Sequence, residues 1–324
     1  MGRIVAGTGS VLVLVLVLAL PAVAQPPEIR RLAGPTRIET AIAISADTYG
    51  AGRAGAVVLA RSDAFPDALA GGPLAASVDG PLLLTPSTTL APVTLEEIRR
   101  VLPAGGTVLV LGGESAISAA VESAVADAGY ATRRLAGSNR IETALAIARA
   151  AAPRPGFITV ATGNDFPDAL IGGALATTFA DGVLLLTDAD RLPATVDAYL
   201  DEHATADVVT VGPAAAAAVP EAFTVSGDTP SLRSVAAAET FYGGIDPSGV
   251  SVASVEDYPD GLAGAPHAFD AGSLPLLLTP SEQLPQRHVD YLSSLDARGR
   301  SYVYGGARAV EDAVVEQMRA ALTR

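Results

Sequence analysis

Continuous apolar runs alternate with amphipathic segments along the chain. In its first third, the runs at 56–60, 81–84 and 107–111 consist almost wholly of Ala, Val and Leu. Runs this short are typical of strands buried on both faces, as in parallel sheets. Between them, apolar or small residues recur at helical spacing, at Ile38, Ala41, Ile42 and Ser45 and again at Leu95, Ile98, Val101 and Leu102. The alternation predicts an open α/β sheet with right-handed crossovers.

The same pattern occurs three times, with a period near 100 residues. Four anchors recur in order: an Arg-Leu-Ala-Gly opening, an aromatic-Pro-Asp segment, a Leu-Leu-Leu-Thr strand and a glycine at the end of a strand. The third copy matches more loosely than the first two. Because the period is too long for a solenoid unit, each repeat is predicted to be a small domain with its own core. We place the repeats at 28–129, 130–221 and 222–324.

The N-terminal residues, 1–24, are predicted to be a signal peptide. Arg3 precedes an apolar run over 11–20, and Ala22-Val23-Ala24 then supplies the small-x-small pattern that a signal peptidase reads. The run is well short of the roughly 20 residues that cross a bilayer. We therefore expect a secreted protein with no membrane partner after cleavage, and an uncleaved anchor is the alternative.

Charge and composition exclude several functional classes. The chain carries 21 basic and 35 acidic residues, for a net charge of −14, and every basic residue is Arg. This negative excess argues against nucleic-acid binding. The absence of Cys excludes disulfides, thiolate zinc sites and thiol catalysis. With 49% hydrophobic residues, the chain has enough apolar material to form sizeable cores.

The repeated motifs resemble those of the cell wall-binding repeat 2 family, whose modules occur as tandem triplets on secreted and surface proteins of Gram-positive bacteria. The resemblance rests on the Arg-Leu-Ala-Gly-x-x-Arg-Ile-Glu-Thr-Ala opening, the Phe-Pro-Asp-Ala-Leu segment, the Leu-Leu-Leu-Thr strand and the later Val-Leu-Gly-Gly. It covers essentially the whole chain after the signal peptide. It implies three tandem Rossmann-like open-sheet domains in a pseudo-threefold arrangement, and non-covalent attachment to an anionic cell-wall polysaccharide.

Asp67, Asp168 and Asp260 each follow an aromatic residue and a proline. Proline favours the first helical turn, so each Asp is expected near a helix N-terminus, where the helix dipole favours a negative charge by about 0.3–1 kcal/mol. That role is structural. In the alternative interpretation, the carboxylates line the crevice beyond the C-terminal strand ends, where open α/β sheets bind ligands, and accept sugar hydroxyls.

Arg37 and Arg140 are predicted to lie in the first turn of capped helices, where a cation is mildly unfavourable. One explanation is a bidentate grip on a phosphate or carboxylate of a polymer. The other, which we favour, is an ion pair with Asp67 or Asp168 that locks the repeat.

The third repeat departs from this arginine pattern. Pro230 lies near the place that Arg37 takes in the first repeat. Arg233 can substitute only if the register shifts. A ligand site in the third repeat is therefore less well supported than in the other two.

Paired glycines recur at two places in the repeats. The pairs at 112–113 and 305–306 follow strands, where they are expected to form tight turns, and their N–H groups are an alternative anion site. The pairs at 71–72 and 172–173 fall within helical patterns. There they are expected to allow close packing of helices against sheets or between repeats.

Catalytic and metal-binding constellations are scarce. The three histidines occupy no repeated positions and form no His-Glu-x-x-His motif, which argues against zinc hydrolysis. No Gly-x-Ser-x-Gly elbow occurs. The pairs Asp63/Asp67 and Asp165/Asp168 have the composition of glycosidase carboxylates, but helix-cap and dipole roles explain them more simply.

We therefore expect a secreted, cell wall-associated protein that binds an anionic cell-wall polysaccharide, with no reaction, cofactor or metal. Arg37, Asp67, Arg140, Asp168 and Asp260 are the candidate ligand-binding residues. One alternative is a surface-layer protein that assembles laterally with itself or with an envelope partner. The other is a hydrolase of wall glycans.

Overall fold

The computed structural model describes residues 27–244, 247–296 and 299–323, in which strands and helices alternate. The strands are β1 (Glu28–Leu32), β2 (Ala56–Arg61), β3 (Leu82–Thr85), β4 (Thr107–Leu111), β5 (Ala131–Leu135), β6 (Phe157–Thr162), β7 (Gly182–Thr187), β8 (Asp207–Val211), β9 (Phe223–Val225), β10 (Ser251–Ser254), β11 (Leu276–Thr279) and β12 (Arg300–Tyr304). The helices are α1 (Arg37–Thr48), α2 (Gly71–Ser77), α3 (Pro92–Val101), α4 (Ala119–Asp127), α5 (Arg140–Ala151), α6 (Pro167–Thr177), α7 (Ala194–Glu202), α8 (Pro213–Ala218), α9 (Pro230–Phe241), α10 (Pro259–Asp270), α11 (Gln286–Ser294) and α12 (Asp312–Leu322). The predicted signal peptide, residues 1–24, lies outside the described residues.

The strands form three four-stranded sheets whose pairings are parallel. Their orders are β3-β2-β4-β5, β7-β6-β8-β9 and β11-β10-β12-β1. The α/β prediction is confirmed. In each sheet the chain first moves outward by one strand and then crosses to the other side, so the topology reverses between the second and third strands in that order. A crevice forms beyond the carboxyl ends of the strands at such a point.

The first two sheets take their last strand from the repeat that follows in sequence, and the third sheet takes it from the first repeat. The Arg-Leu-Ala-Gly opening of the second repeat lies on β5, which pairs with β4 of the first repeat. β9 pairs in the same way with β8. The third sheet is completed by β1, with Leu32 beside Tyr304, so the two ends of the fold meet and the three repeats form a closed ring. The boundaries 28–129, 130–221 and 222–324 stay a prediction of how the chain divides into domains.

One central core joins the three repeats. On β2, Val58 and Ala60 face this core, whereas Val57 and Leu59 face a separate outer core. Helices α2, α6 and α10 pack against one another at the centre. The prediction that each repeat has its own core is therefore correct only for the outer clusters, because each sheet is buried on both faces and its inner face is covered by shared helices.

The glycine pair at 71–72 explains how the central helices approach so closely. A Cβ on Gly71 would lie 2.8 Å from Cδ1 of Leu82 in the sheet, and one on Gly72 would lie 3.5 Å from Cβ of Ala265 in the third repeat. One glycine therefore serves the helix–sheet contact and the other the contact between repeats. Both packing roles were expected from the sequence.

Three aromatic rings mark the pseudo-threefold axis. Phe65, Phe166 and Tyr258 come from the three aromatic-Pro-Asp segments, and their ring centroids lie 5.6–6.0 Å apart. Tyr258 meets both phenylalanine rings edge-to-face, and the two phenylalanine rings are tilted to each other. The predicted pseudo-threefold arrangement is confirmed.

Candidate functional site

The three repeated aspartates lie at corresponding positions, against the glycines that directly follow β4, β8 and β12. A Cβ on Gly112 would lie 2.9 Å from Cγ of Asp67. A Cβ on Gly212 or Gly305 would overlap a carboxylate oxygen, of Asp168 and Asp260 respectively. The three glycines also have φ between 82° and 100°, which L side chains rarely adopt. The tight turn that the sequence predicted therefore makes room for a carboxylate.

The helical environment of these aspartates differs between repeats. Asp168 and Asp260 lie in the first turns of α6 and α10, as predicted. Asp67 precedes α2, which begins only at Gly71. The backbone before α2 forms two turn hydrogen bonds between residues three apart, from the Ala68 N–H to the Phe65 carbonyl and from the Gly71 N–H to the Ala68 carbonyl. Asp67 therefore lies in a turn rather than in a helix.

A buried ion pair joins the second repeat to the third. Nε of Arg233 donates to Oδ1 of Asp168 at 2.6 Å, and Nη1 of Arg233 donates to the carbonyl of Gly227. Burial raises the pKa of Asp168, and the Arg233 guanidinium opposes that effect. Arg233 does not substitute for Arg37, because the register does not shift: α1 and α9 follow the equivalent caps Thr36 and Thr229, and Arg233 lies one turn into α9.

Arg37 also contacts the preceding repeat in the ring, which is the third repeat. Its Nη1 donates to the Ser62 carbonyl at 2.8 Å and to the Tyr258 hydroxyl at 3.1 Å, and its Nη2 lies 3.2 Å from Oδ2 of Asp257. The guanidinium carbon also lies 5.4 Å from the centre of the Tyr258 ring. The favoured pairing with Asp67 or Asp168 is therefore wrong for Arg37. The reason is that β1 pairs with β12 and α1 packs against α10, both in the third repeat.

Arg140 has the contact that corresponds to one of those of Arg37. Its Nη1 donates to the carbonyl of Gly163 at 2.7 Å. Gly163 precedes Phe166 by three residues, just as Ser62 precedes Phe65. Each arginine therefore donates to the backbone carbonyl of the residue that directly follows a strand, β2 for Arg37 and β6 for Arg140. At Arg140 this contact forms without an acidic residue like Asp257 beside the guanidinium.

An open cleft of about 600 Å³ lies where the first repeat meets the third. We call it the closing cleft. It is lined by residues 34–37 and Thr40 before and within α1, by Asp257, Pro259 and Asp260, and by residues 306–309 after β12. It combines two arginines, Arg37 and the exposed Arg308, with two carboxylates.

Burial raises the pKa of Asp260 in the closing cleft to about 6. The nearby charge of Asp257 acts in the same direction, whereas Arg37 and a hydrogen bond with Thr40 oppose the shift. This carboxyl group is therefore half-protonated at about pH 6 rather than fully ionised as an ordinary Asp would be. It accepts hydrogen bonds when ionised and donates one when protonated.

The closing cleft also contains residues that sequence reasoning did not single out. Arg308 stands at a non-repeated position, so the comparison of repeats gave no signal for it. Asp257 aligns with Asp165, since each directly precedes an aromatic-Pro-Asp segment, and this alignment was available in the sequence. Arg233 was recognised only as a possible substitute. Aligning Gly34 with Gly227 and Thr36 with Thr229 places it opposite Thr40, and this alignment was available in the sequence.

The acidic pairs considered for hydrolysis have structural partners. Nε of Arg61 donates to Asp63 at 2.7 Å, and this bond lowers the pKa of Asp63. Asp165 accepts from the backbone N–H of Phe166 at 2.8 Å. A carboxyl group with a lowered pKa is poorly suited to be the general acid of a glycosidase.

Two general features concern membranes and metals. Within the described ranges, no helix has both the length and the apolar character needed to cross a bilayer. In the same part of the chain, no group of three or more His, Asp and Glu side chains is arranged to hold a metal ion.

Comparison with protein families gives one match that recurs three times. Residues 31–122, 134–222 and 224–315 each match the family described as Cell wall binding domain 2 (CWB2). The three segments cover most of the chain, and each begins at or near an Arg-Leu-Ala-Gly opening or its counterpart.

Similar proteins are found among curated sequences and solved structures. The chain is 30% identical over 135 residues to N-acetylmuramoyl-L-alanine amidase LytC of Bacillus subtilis (strain 168), covering 42% of this chain and 26% of that protein. It is 34% identical over 163 residues to the amidase enhancer of the same strain, covering 50% of this chain and 22% of that protein. The fold resembles Cwp6 from Clostridium difficile, with a TM-score of 0.83 at 23% identity, over 93% of this chain and 49% of Cwp6. Cwp8 from Clostridium difficile gives 0.81 at 23% identity, over 91% of this chain and 52% of Cwp8.

Proposed function

Because the chain belongs to the cell wall binding domain 2 family, we propose that it attaches non-covalently to an anionic polysaccharide of the bacterial cell wall. The family assignment supports cell wall binding by three tandem domains. Both the anionic character of the polymer and the export of the chain belong to the proposal. The apolar run at 11–20 and the Ala-Val-Ala pattern after it support export.

The arginines of the closing cleft carry this proposal. Arg37 is anchored by the Ser62 carbonyl and Tyr258 and still has a side chain that is 36% exposed, and Arg308 is exposed on the other wall. A fixed guanidinium presents paired N–H donors that match the oxygens of a phosphate or carboxylate. Three separate segments of the chain line the cleft, and this suits an extended polymer.

The carboxylates of the closing cleft suit sugar hydroxyls. Asp260, with its pKa near 6, can accept a hydroxyl hydrogen bond or donate one. An ionised carboxylate repels an anionic group, so the acidic side chains are assigned to the sugar rings and the arginines to the polymer charge.

Long-range electrostatics oppose the proposed binding. The net charge of −14 repels an anionic chain at a distance, but screening limits that repulsion to about 10 Å at 0.1 M salt. Binding must therefore come from contacts within the crevice. The crevices are not equivalent, because Arg233 neutralises Asp168 inside the boundary between the second and third repeats. We therefore assign the main site to the closing cleft, and assign no reaction, cofactor or metal to the chain.

Co-sedimentation of residues 25–324 with purified bacterial cell walls tests this function. We expect the protein to sediment with intact walls and to remain in solution after mild acid extraction of the secondary polymers. Addition of EDTA should leave binding unchanged, because arginines rather than a bridging cation contact the polymer. Undiminished binding to extracted walls would reject the polysaccharide as the ligand.

A further inference from the structure

Four of the seven phenylalanines cluster at the end of the second sheet that lies opposite the crevice. Phe157 and Phe223 are the first residues of the parallel strands β6 and β9, so both lie at the amino ends of these strands. Phe179 follows α6, and Phe241 is the last residue of α9. We call this cluster the phenylalanine pocket.

The rings form walls around an open cavity of about 340 Å³. Phe157 and Phe179 are stacked with centroids 3.8 Å apart, and Phe241 lies edge-on, 5.9 Å from both Phe157 and Phe223. Phe223 is 56% exposed, so much of its ring contacts solvent. The rest of the lining comes from Asp207, Val208, Val209 and Thr240.

The other two sheets show that the fold does not require this pocket. Phe223 pairs with Val209, and the residues at the corresponding register are Arg133 beside Leu109 and Arg30 beside Tyr302. Packing constraints of the fold would act on all three sheets, yet the two equivalent positions carry a charged side chain.

Two further positions lead to the same conclusion. Helices α1, α5 and α9 each have 12 residues, and their last residues are Thr48, Ala151 and Phe241. The first residue of β6 is Phe157, whereas β2 begins with Ala56 in the same register. The aromatic lining is therefore specific to one of three otherwise similar surfaces.

We propose that the phenylalanine pocket is a second binding site, which takes an uncharged pyranose sugar. The electron-rich face of an aromatic ring attracts the polarised C–H groups on the apolar face of a sugar ring. Asp207 and Thr240 on the rim supply an acceptor and a hydroxyl for the sugar hydroxyl groups. The cavity volume falls within the range of small-ligand pockets.

Charge decides which sugar the pocket takes. Asp207 is the only ionisable side chain in the described lining, and it is acidic, as is the whole chain. An anionic sugar would be repelled, whereas the closing cleft has arginines for that purpose. This inference goes beyond the proposed function, because the two sites differ in the charge of their ligands and in their place in the fold. The phenylalanine pocket lies at the amino ends of the strands, and the closing cleft lies at the carboxyl ends.

Titration with two neutral oligosaccharides tests the proposal. Cellotetraose and the tetramer of N-acetylglucosamine serve as probes, and saturation-transfer NMR with residues 25–324 gives the dissociation constant. At least one probe should bind, with the strongest transfer to its ring C–H protons. Phe223→Ala should weaken binding by about tenfold, since it removes the exposed ring face. Phe223→Arg, which restores the residue type of the other two sheets, should do the same.

Two controls separate this proposal from the function assigned above. Arg37→Ala should leave oligosaccharide binding unchanged, and Phe223→Ala should leave sedimentation with cell walls unchanged. The proposal is wrong if neither probe binds, or if Phe223→Ala binds as tightly as the unmodified protein. It is also wrong if sedimentation velocity shows a dimer that Phe223→Ala dissociates while neither probe binds, because the pocket is then a self-association surface.

Discussion

Arg233 reaches across the boundary between two repeats and binds the buried carboxylate of Asp168, with Nε and Oδ1 2.6 Å apart. Their side chains are only 8% and 9% exposed. A carboxylate this deep in the protein is costly unless it is paired. The pair therefore determines how the third repeat can dock on the second.

Arg233→Leu is expected to lower the free energy of unfolding by about 3–5 kcal/mol, because it leaves Asp168 buried and unpaired. The double variant Arg233→Leu/Asp168→Leu should recover most of this loss. As a matched control, Arg287→Leu breaks the exposed pair with Glu239 and should cost less than about 1 kcal/mol. Urea denaturation followed by circular dichroism provides the comparison, and equal losses in the two single variants would contradict this account.

Asp260 is expected to make stability depend on pH. Since its pKa is about 6 in the folded protein and about 4 in an unfolded chain, the folded state binds more protons between these values. Its contribution to stability is therefore present at low pH and is lost as the pH rises through 6, by up to about 3 kcal/mol.

Asp260→Asn should remove this contribution, so the variant should gain stability relative to the unmodified protein between pH 4.5 and 7.5. The comparison between the two proteins is needed because burial lowers the pKa of His288 to about 4, which acts in the opposite direction over the same range. Urea denaturation at a series of pH values tests the prediction. Parallel stability curves for the two proteins would show that Asp260 titrates normally.

Gly112 and Gly113 are neighbours with opposite expected tolerance of a side chain. Gly112 has a φ of 85°, and its Cβ would lie 2.6 Å from that of Ala116 and 2.9 Å from Cγ of Asp67, whereas a Cβ on Gly113 meets nothing within 4 Å. Gly112→Ala should therefore cost about 2 kcal/mol or more. Gly113→Ala should change stability by less than about 0.5 kcal/mol. Thermal unfolding that ranks the two variants the other way would contradict the role of Gly112.

Arg31 holds the ring of repeats closed. It donates at 2.8 Å to the carbonyls of Gly305 and Val310, in the last repeat. In Arg31→Ala, we expect the amide protons of β1 and β12 to exchange at least about tenfold faster, because β1 is then held mainly by its strand pairing. Exchange on β4 and β5 should not change, since Arg134 makes the equivalent bond to Gly112 there. Hydrogen exchange that accelerates equally in all sheets would instead indicate global destabilisation.

The sequence was sufficient to predict the repeats, the parallel sheets and the tight glycine turns, because each of these depends on local pattern. The pairing of strands between repeats was harder to predict from the sequence. β5 completes the sheet of the preceding repeat, and β1 completes that of the third repeat, through tertiary pairing. Because β1 pairs with the third repeat, Arg37 contacts Asp257 rather than Asp67. Sequence reasoning treated each repeat as self-contained and so placed the ion pairs within repeats.

The non-repeated residues of the sites could not be predicted from comparison of the repeats. Arg308 has no counterpart in the pattern, and Phe157, Phe179, Phe223 and Phe241 are spread over 85 residues of sequence. These rings meet because parallel strands begin at the same end of a sheet, and because two helices end beside that end. By contrast, the places of Asp168 and Asp260 followed from the proline that precedes each of them.

The affinity of arginine variants for the acid-extracted wall polymer tests the central claim most directly. Isothermal titration would compare the unmodified protein with Arg37→Ala, Arg308→Ala and the control Arg154→Ala, which removes an exposed arginine outside the closing cleft. We expect Arg37→Ala and Arg308→Ala each to weaken binding by about fivefold or more, and Arg154→Ala by less than about twofold. If both cleft variants bind like Arg154→Ala, the closing cleft is not the polysaccharide site.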